Sequence, residues 1–428
     1  MTWNEEGGRK ATVTLTTLLT NPGGLSNSNV CNSVSANPNG WKNPQHYDFA
    51  TPDMLPPPHA NGIAISYLMA FNKRLYITAS STPNPSPETF FIFDLPDDPS
   101  QIPILRGRID NATSTNIGLN AVAVASSTLG SYAYVANGNK SNFNTCNNPN
   151  GTNPSCGQMQ VIDVTDPALP GNPVKYTFKI SGVTGMAGQS IGQSIFYKNG
   201  IVYLGLAKTP DATANDTEFN LIDVGGGGHG GSPTHPVYLG GYQVKNTVNS
   251  IFVNNNYAYI ASPNNENLTV IDVSDPTNPH RVGGYAPAGG SHGESVYSIG
   301  NTAYLGRTFG NTEFYILNVA SSTNISVIGS QDVGTGNKTS VNGLAIKDYL
   351  AFLITKAQFQ VWDISTASTT PGTIKPWTSD GTPNTFLDLN VVGGSGTSLN
   401  CSGDYFYLAI ASSQGNNKDI LSIITPGP

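Results

Sequence analysis

Short apolar runs alternate with polar, turn-forming stretches along almost the whole chain, and they return in the same order. In Val270-Ile271-Asp272-Val273-Ser274-Asp275-Pro276-Thr277-Asn278-Pro279 an apolar run ends in Asp and passes into an Asp-Pro turn. Met159 to Pro167 (Met-Gln-Val-Ile-Asp-Val-Thr-Asp-Pro) repeats it, and looser copies run from Phe90 to Asp94, Phe219 to Asp223, Phe314 to Asn318 and Phe359 to Asp363. A pattern that recurs in fixed order signals stacked copies of one supersecondary unit.

Two further marks set the number of copies. A polar residue, a small residue and a branched one open an apolar run at Asn61, Asn120, Gln193, Asn249, Glu294, Asn342 and Thr397. An aromatic then falls inside the following run at Tyr76, Tyr134, Tyr203, Tyr259, Tyr304, Phe352 and Tyr407, ten residues after the polar residue in the last five copies. The two sets agree on seven. Within one copy the runs read as four strands: Ser250 to Val253, Tyr257 to Ala261, Leu268 to Val273 and Arg281 to Tyr285. Their β-branched and aromatic content and period-two alternation support strands, and no stretch reads as a helix. Four-stranded repeats in a single array predict an all-β fold, a seven-bladed β-propeller. The blades fall near 59–110, 118–181, 191–245, 247–287, 292–334, 340–392 and 396–425.

The seventh copy holds only three strands, so an N-terminal strand is expected to close it and hide an open edge. Lys10 to Leu19 is the strand-like run available. Residues 1–58 are then a closing strand followed by a strap, Pro22 to Pro58, and residues 59–428 are the propeller.

Composition narrows the function classes. Only 11% of the 428 residues are charged, with 47 Gly and 30 Pro, which suits short strands joined by tight turns. A net charge of −7 with 20 Lys and Arg and no basic run argues against a nucleic-acid partner. No run of 18 apolar residues is present, so no membrane-spanning helix is expected. Low charge and high Asn, Ser and Thr content point to an extracellular or cell-surface location. Met1-Thr2-Trp3-Asn4 is polar, so an export segment is expected to lie outside this sequence. Four cysteines fit disulfides in such a location. Cys146 and Cys156, ten apart in a polar loop, are expected to pair, and Cys31 would then tie to Cys401. No Cys-x-x-Cys or histidine cluster suggests a metal.

The Val-Ile-Asp-Val-Ser-Asp-Pro-x-Asn-Pro stretch, with Tyr257-Ala258-Tyr259-Ile260-Ala261 upstream, resembles the LVIVD repeat family over roughly residues 60–425. The resemblance implies a propeller, mostly in exported or surface proteins of bacteria and archaea, and brings no catalytic residues. Gly8-Arg9-Lys10 to Pro22-Gly23 also resembles the end of type IV pilin-like head domains that precede such propellers.

In a propeller the seven polar residues opening the innermost strands ring one mouth of the axial channel. Amides and one carboxylate converging there suit a cation, a glycan or ordered waters, but the more ordinary reading, and the one favoured, is that they satisfy backbone groups where the inner strands splay. The longest loops, Ser80 to Glu88, Asn137 to Gln158 and Lys208 to Glu218, emerge on the same face, with Tyr132, Phe143 and Asn144 the first residues to inspect for contact. His292 and Glu294 form the one acid–base pair the sequence offers at the mouth. Gly225 to Gly231 has no helix after it and reads as a turn, not a phosphate loop. Asp163, Asp166, Asp272 and Asp275 read as turn caps rather than calcium ligands. The expected function is a non-enzymatic binding or adhesion module for a glycan, protein or surface, without cofactor. The alternatives are an exported glycan-active hydrolase or lyase using His292 and Glu294, and an architectural module of a pilus-like appendage.

Overall fold

The computed structural model describes residues 2–4, 10–12, 41–48, 54, 63–81, 88–98, 100–110, 117–138, 157–180, 190–210, 215–263, 266–334, 339–347, 349–365, 374–377, 387–388, 394–402, 405–412 and 420–426. Among them every regular element is a strand. The strands form seven antiparallel blades arranged as a propeller ring. The fourth blade shows the plan: Ser250–Asn254, Tyr257–Ala261, Leu268–Asp272 and His280–Tyr285 pair in sequence order, from the axis outward. Blades one, two, three and five repeat it. In the sixth, the outer position is shared by Lys375–Pro376 and Leu387–Asp388, each pairing a different end of Gln358–Asp363. The ring closes where Leu68 N–H donates to Ser398 Oγ (3.4 Å) and Ala70 N–H to Asn400 Oδ1 (3.1 Å), joining the first blade to the seventh.

An N-terminal strand does complete the seventh blade, but it is not Lys10 to Leu19. Trp41–Asp48 pairs antiparallel with Ile420–Pro426, while Lys10–Thr12 pairs with Thr2–Asn4. The closing strand comes from within the stretch expected to be a strap. Its register slips between Lys42 and Gln45, around Pro44. An outermost strand tolerates proline because its outer N–H groups have no ladder partner to lose.

The middle two strands of each blade are covered on both sides by neighbouring blades. This is why Leu268–Asp272 and Tyr257–Ala261 read as nearly continuous apolar runs. The core is a series of interblade layers and not one central mass. Aromatics on the innermost strands meet across blades: Phe196 and Phe252 lie 5.1 Å apart between ring centroids, Phe252 and Tyr297 4.5 Å. Each such pair contributes about 0.5–1.5 kcal/mol beyond its burial. The hairpins joining first and second strands are tight turns. Asn72-Lys73 and Asn199-Gly200 both place two successive residues at positive φ, the requirement of a type I′ turn.

Candidate functional site

Antiparallel order puts three features on one face of the disc: the start of each innermost strand, the loop between second and third strands, and the connection to the next blade. The opposite face carries the hairpins and the Asp turns.

On the first face the innermost strands share a local irregularity. Their register slips between Ile65 and Tyr67, Leu119 and Ala121, Gly192 and Ser194, Gly293 and Ser295, Val341 and Gly343, and Gly396 and Ser398. Each slip is a bulge that sets one extra residue out of the ladder. In the fourth blade Asn249, just before the strand, occupies that place and donates its backbone N–H to Ala261 O. The set-out residues, Ser66, Asn120, Gln193, Asn249, Glu294, Asn342 and Thr397, all line an axial cavity of about 250 Å³. Six of these were named from the sequence. The seventh place, in the first blade, belongs to Ser66; Asn61 lies outside the described residues.

Three of the asparagines share one task. Asn120 Nδ2 donates to Gly192 O (2.7 Å), Asn249 Nδ2 to Gly293 O (2.8 Å) and Asn342 Nδ2 to Gly396 O (2.6 Å). Each acceptor is the carbonyl just ahead of the next blade's set-out residue, so the amides stitch neighbouring inner strands. Because the partner is a carbonyl, the amide orientation is fixed and its Oδ1 is left as an acceptor. Behind this ring, Ser194 Oγ and Ser295 Oγ make the same kind of stitch to Val248 O and Val341 O, both at 2.7 Å.

Among the described residues, Glu294 is the single charged side chain lining the channel. Asn249 Nδ2 lies 3.2 Å from its Oε2, and burial raises its pKa above the ordinary glutamate value. A raised carboxyl pKa favours the protonated form in the folded state. Its stabilising contribution is therefore full below the unfolded value of 4.5 and is lost as pH rises through the folded one. Glu294→Gln is expected to raise stability to urea at pH 8, with the advantage over the parent protein shrinking to nothing as pH falls below that value. An advantage that is flat with pH would contradict it.

His292 does not join Glu294. It is exposed, its backbone pairs with Thr308, and it is not among the channel-lining residues. The bulge at Glu294 separates the two, since it sets that side chain toward the axis. Tyr132 lies beside the hairpin of the opposite face, buried, with its hydroxyl donating to Leu129 O (3.3 Å). Phe143 and Asn144 lie outside the described residues, as do Cys31, Cys146 and Cys156; Cys401 is buried in the seventh blade. Among the described residues, no three His, Cys, Asp or Glu side chains cluster as metal ligands, and no helix is long and apolar enough to cross a membrane.

The family described as LVIVD repeat matches residues 247–286, the whole of the fourth blade. The chain carries an LVIVD repeat within a seven-bladed propeller. No curated protein sequence matches it. Among solved structures it is similar to Raptor of Chaetomium thermophilum, at 10% identity and a TM-score of 0.55, over 86% of this chain and 28% of that one. It is likewise similar to the WD40 repeats of RRP9 (11% identity, TM-score 0.55, 86% and 96% of the two chains). A third is the WD40 β-propeller domain of Doa1 (9%, 0.50, 86% and 95%). At these identities the likeness is one of fold.

The aspartates of the LVIVD stretch serve the turn. Asp272 Oδ1 accepts from Ser274 N–H (2.8 Å) and Asp275 Oδ1 from Thr277 N–H (2.9 Å); Asp163 and Asp166 do the same in the second blade. Side-chain and backbone bonds from Ser274 and Thr277 hold Asp272 and Asp275 below the usual carboxylate range. In the glycine run of the third blade, Asp223 accepts from Gly225, His229 and Gly231 N–H, which shapes the turn and occupies those donors.

Two features of the loop-bearing face escaped the sequence reading. One is a buried polar residue just before the third strand of the second, third, fourth and fifth blades: Gln158, Glu218, Asn267 and Glu313. Gln158 accepts from Ile180 N–H, Glu218 from Lys245 N–H and Glu313 from Val333 N–H, each tying a loop to the connection into the next blade. The other is Arg307, 1% exposed at the end of the second strand of the fifth blade. It lines a concavity of about 580 Å³ with Tyr285, Tyr315 and Phe309, the last 54% exposed. The corresponding places in the second, third, fourth and sixth blades hold Asn137, Leu206, Ser262 and Thr355. A lone charge in an otherwise neutral column was the available signal.

Proposed function

We propose that the protein is a non-enzymatic binding module, displayed outside the cell or on its surface, that takes a protein partner on the loop-bearing face. The observation that carries this reading is the exposed ring of Phe309 beside Arg307, Tyr285 and Tyr315. Aromatics and arginine around a concavity are the composition of interface hot spots. The stitches between neighbouring inner strands tie the fourth, fifth and sixth blades together beneath this concavity, and a preorganised scaffold lowers the ordering cost of binding. A second reading, a hydroxyl-rich glycan at the channel mouth, is favoured by the acceptor oxygens that Asn120, Asn249 and Asn342 leave over.

The test compares two equally drastic surface changes. Phe309→Asp on the loop-bearing face is expected to weaken a captured partner at least tenfold, as expected for a hot spot. Leu129→Asp, exposed on the hairpin face, is expected to leave it unchanged. Loss with Leu129→Asp and not with Phe309→Asp would overturn the assignment of the face, and binding to a glycan array alone would favour the second reading. Protease treatment of intact cells is expected to release fragments of the chain; full protection would remove the surface location.

A further inference from the structure

The concavity between the fourth and fifth blades holds a cation, Arg307, whose charge is matched by no carboxylate among the described residues. Arg307 Nε donates to Asn267 Oδ1 (2.8 Å), and Nη1 donates to Thr312 O (3.1 Å) and Tyr315 OH (3.3 Å). Nη2 makes one long bond, 3.4 Å, to Ala288 O. Every acceptor is neutral. Among the described residues no carboxylate pairs with this guanidinium. Glu313, the acid nearest in sequence on the same face, spends Oε1 on Gly310 N–H and Oε2 on Val333 N–H. A guanidinium has five N–H donors, so one Nη2 donor is left over and the other is weakly used. Its carbon sits 5.3 Å from the centroid of the Tyr315 ring, which holds the plane against that wall of the pocket.

Burying a charge is costly unless a counter-charge and hydrogen bonds compensate it. Here the hydrogen bonds are mostly present and the counter-charge is not. We infer that this pocket receives a carboxylate of a peptide ligand, which binds the Nη2 edge of Arg307 while flanking residues pack on Tyr285 and Phe309. A carboxylate accepts charge-assisted bonds from a guanidinium, about twice as strong as neutral ones. The pocket's volume is in the range of sites that enclose a small ligand or one side chain with its neighbours. This inference rests on the protein-binding reading above and adds its chemistry. The carboxylate has two possible sources, a C-terminus or an Asp or Glu side chain.

The experiment uses the full chain and fluorescein-labelled octapeptide pools, read by fluorescence polarisation. Each pool is made with Glu or Gln at a central position and with a free or amidated C-terminus. Binding is expected from at least one carboxylate-bearing form and to fall at least tenfold in its neutral counterpart; which exchange matters names the source. Arg307→Lys, which keeps the charge and loses the planar fork, is expected to lose at least tenfold. Should that variant fail to fold by circular dichroism, Phe309→Ala, a change at an exposed ring, is expected to show a loss of at least threefold. Equal binding of acidic and neutral forms overturns the inference, as does binding indifferent to both substitutions, no peptide binding, or binding of glucuronate oligosaccharides only. The two readings fail separately. If Phe309→Asp releases the captured partner while no carboxylate exchange matters, the protein-binding face stands and the carboxylate assignment falls.

Discussion

Deleting residues 1–54 is expected to lower the thermal midpoint by roughly 5–10 °C and to drive the protein into multimers, read by calorimetry and light scattering. The deletion strips Trp41–Asp48 from Ile420–Pro426 and leaves a row of open N–H and C=O groups on the seventh blade. It also removes Met54, 1% exposed, from the layer it shares with Ile65, Phe91, Leu421 and Ile423 between the seventh and first blades. Backbone bonds contribute about 0.5–1.5 kcal/mol each net, and a buried methionine about 2–3 kcal/mol. The total is on the order of 5–10 kcal/mol. At about 0.9 kcal/mol per degree for 428 residues, that gives the stated shift. The exposed edge is the template for association. A monomer with an unchanged midpoint would show that the strand is dispensable.

The same strand marks where sequence reading stops. The inner strands were legible because both their faces are buried, and continuous apolar runs with an aromatic at fixed spacing stand out in any order. Trp41–Asp48 is mostly polar in sequence and includes Pro44, which only an outermost strand accepts, so hydropathy does not mark it. Lys10 to Leu19 looks more like a strand and instead pairs, at Lys10–Thr12, with Thr2–Asn4.

The channel ring was legible for a different reason. A bulge near the start of the innermost strand sets one residue toward the axis, and in every blade but the second that residue stands ten before the aromatic of the next strand, whatever its type. Counting ten residues back from Tyr76 lands on Ser66, which is where the ring passes. Likeness to the other blades points to Asn61, which lies outside the described residues. The roles of those asparagines were not legible at all, because a stitch from Nδ2 to the next blade's carbonyl depends on how blades are set against each other. Arg307 was not legible either, for the opposite reason. It breaks the repeat, and a search for what recurs passes over what does not.

Gly283→Ala is expected to cost about 3 kcal/mol or more in urea denaturation, a large effect for one methyl group. A Cβ at this position would lie 1.6 Å from Ser322 O, a backbone atom in the turn of the fifth blade. Side chains yield to overpacking at about 1–3 kcal/mol, but two backbones in contact cannot, so a whole blade must shift. The same juxtaposition recurs with less severity. A Cβ at Gly107 would lie 2.2 Å from Pro167 O, and one at Gly240 would lie 2.9 Å from Thr277 O and 3.0 Å from Pro276 O. Losses should therefore rank Gly283→Ala above Gly107→Ala above Gly240→Ala. Gly300→Asn, at φ +55 with open space around it, should be nearly neutral because asparagine tolerates that conformation. Equal costs at all four positions would mean that backbone freedom, and not blade contact, decides them. If the ranking holds, it assigns the most repeated motif its purpose. The turn after the third strand of one blade, Asp-Pro in the second and fourth blades and Ser321-Ser322-Thr323 in the fifth, seats on the outer-strand glycine of the blade before it, and that seat fixes how far apart the blades stand. The same spacing sets the concavity in which Arg307 sits between the fourth and fifth blades, so Gly283→Ala should also weaken any ligand held there.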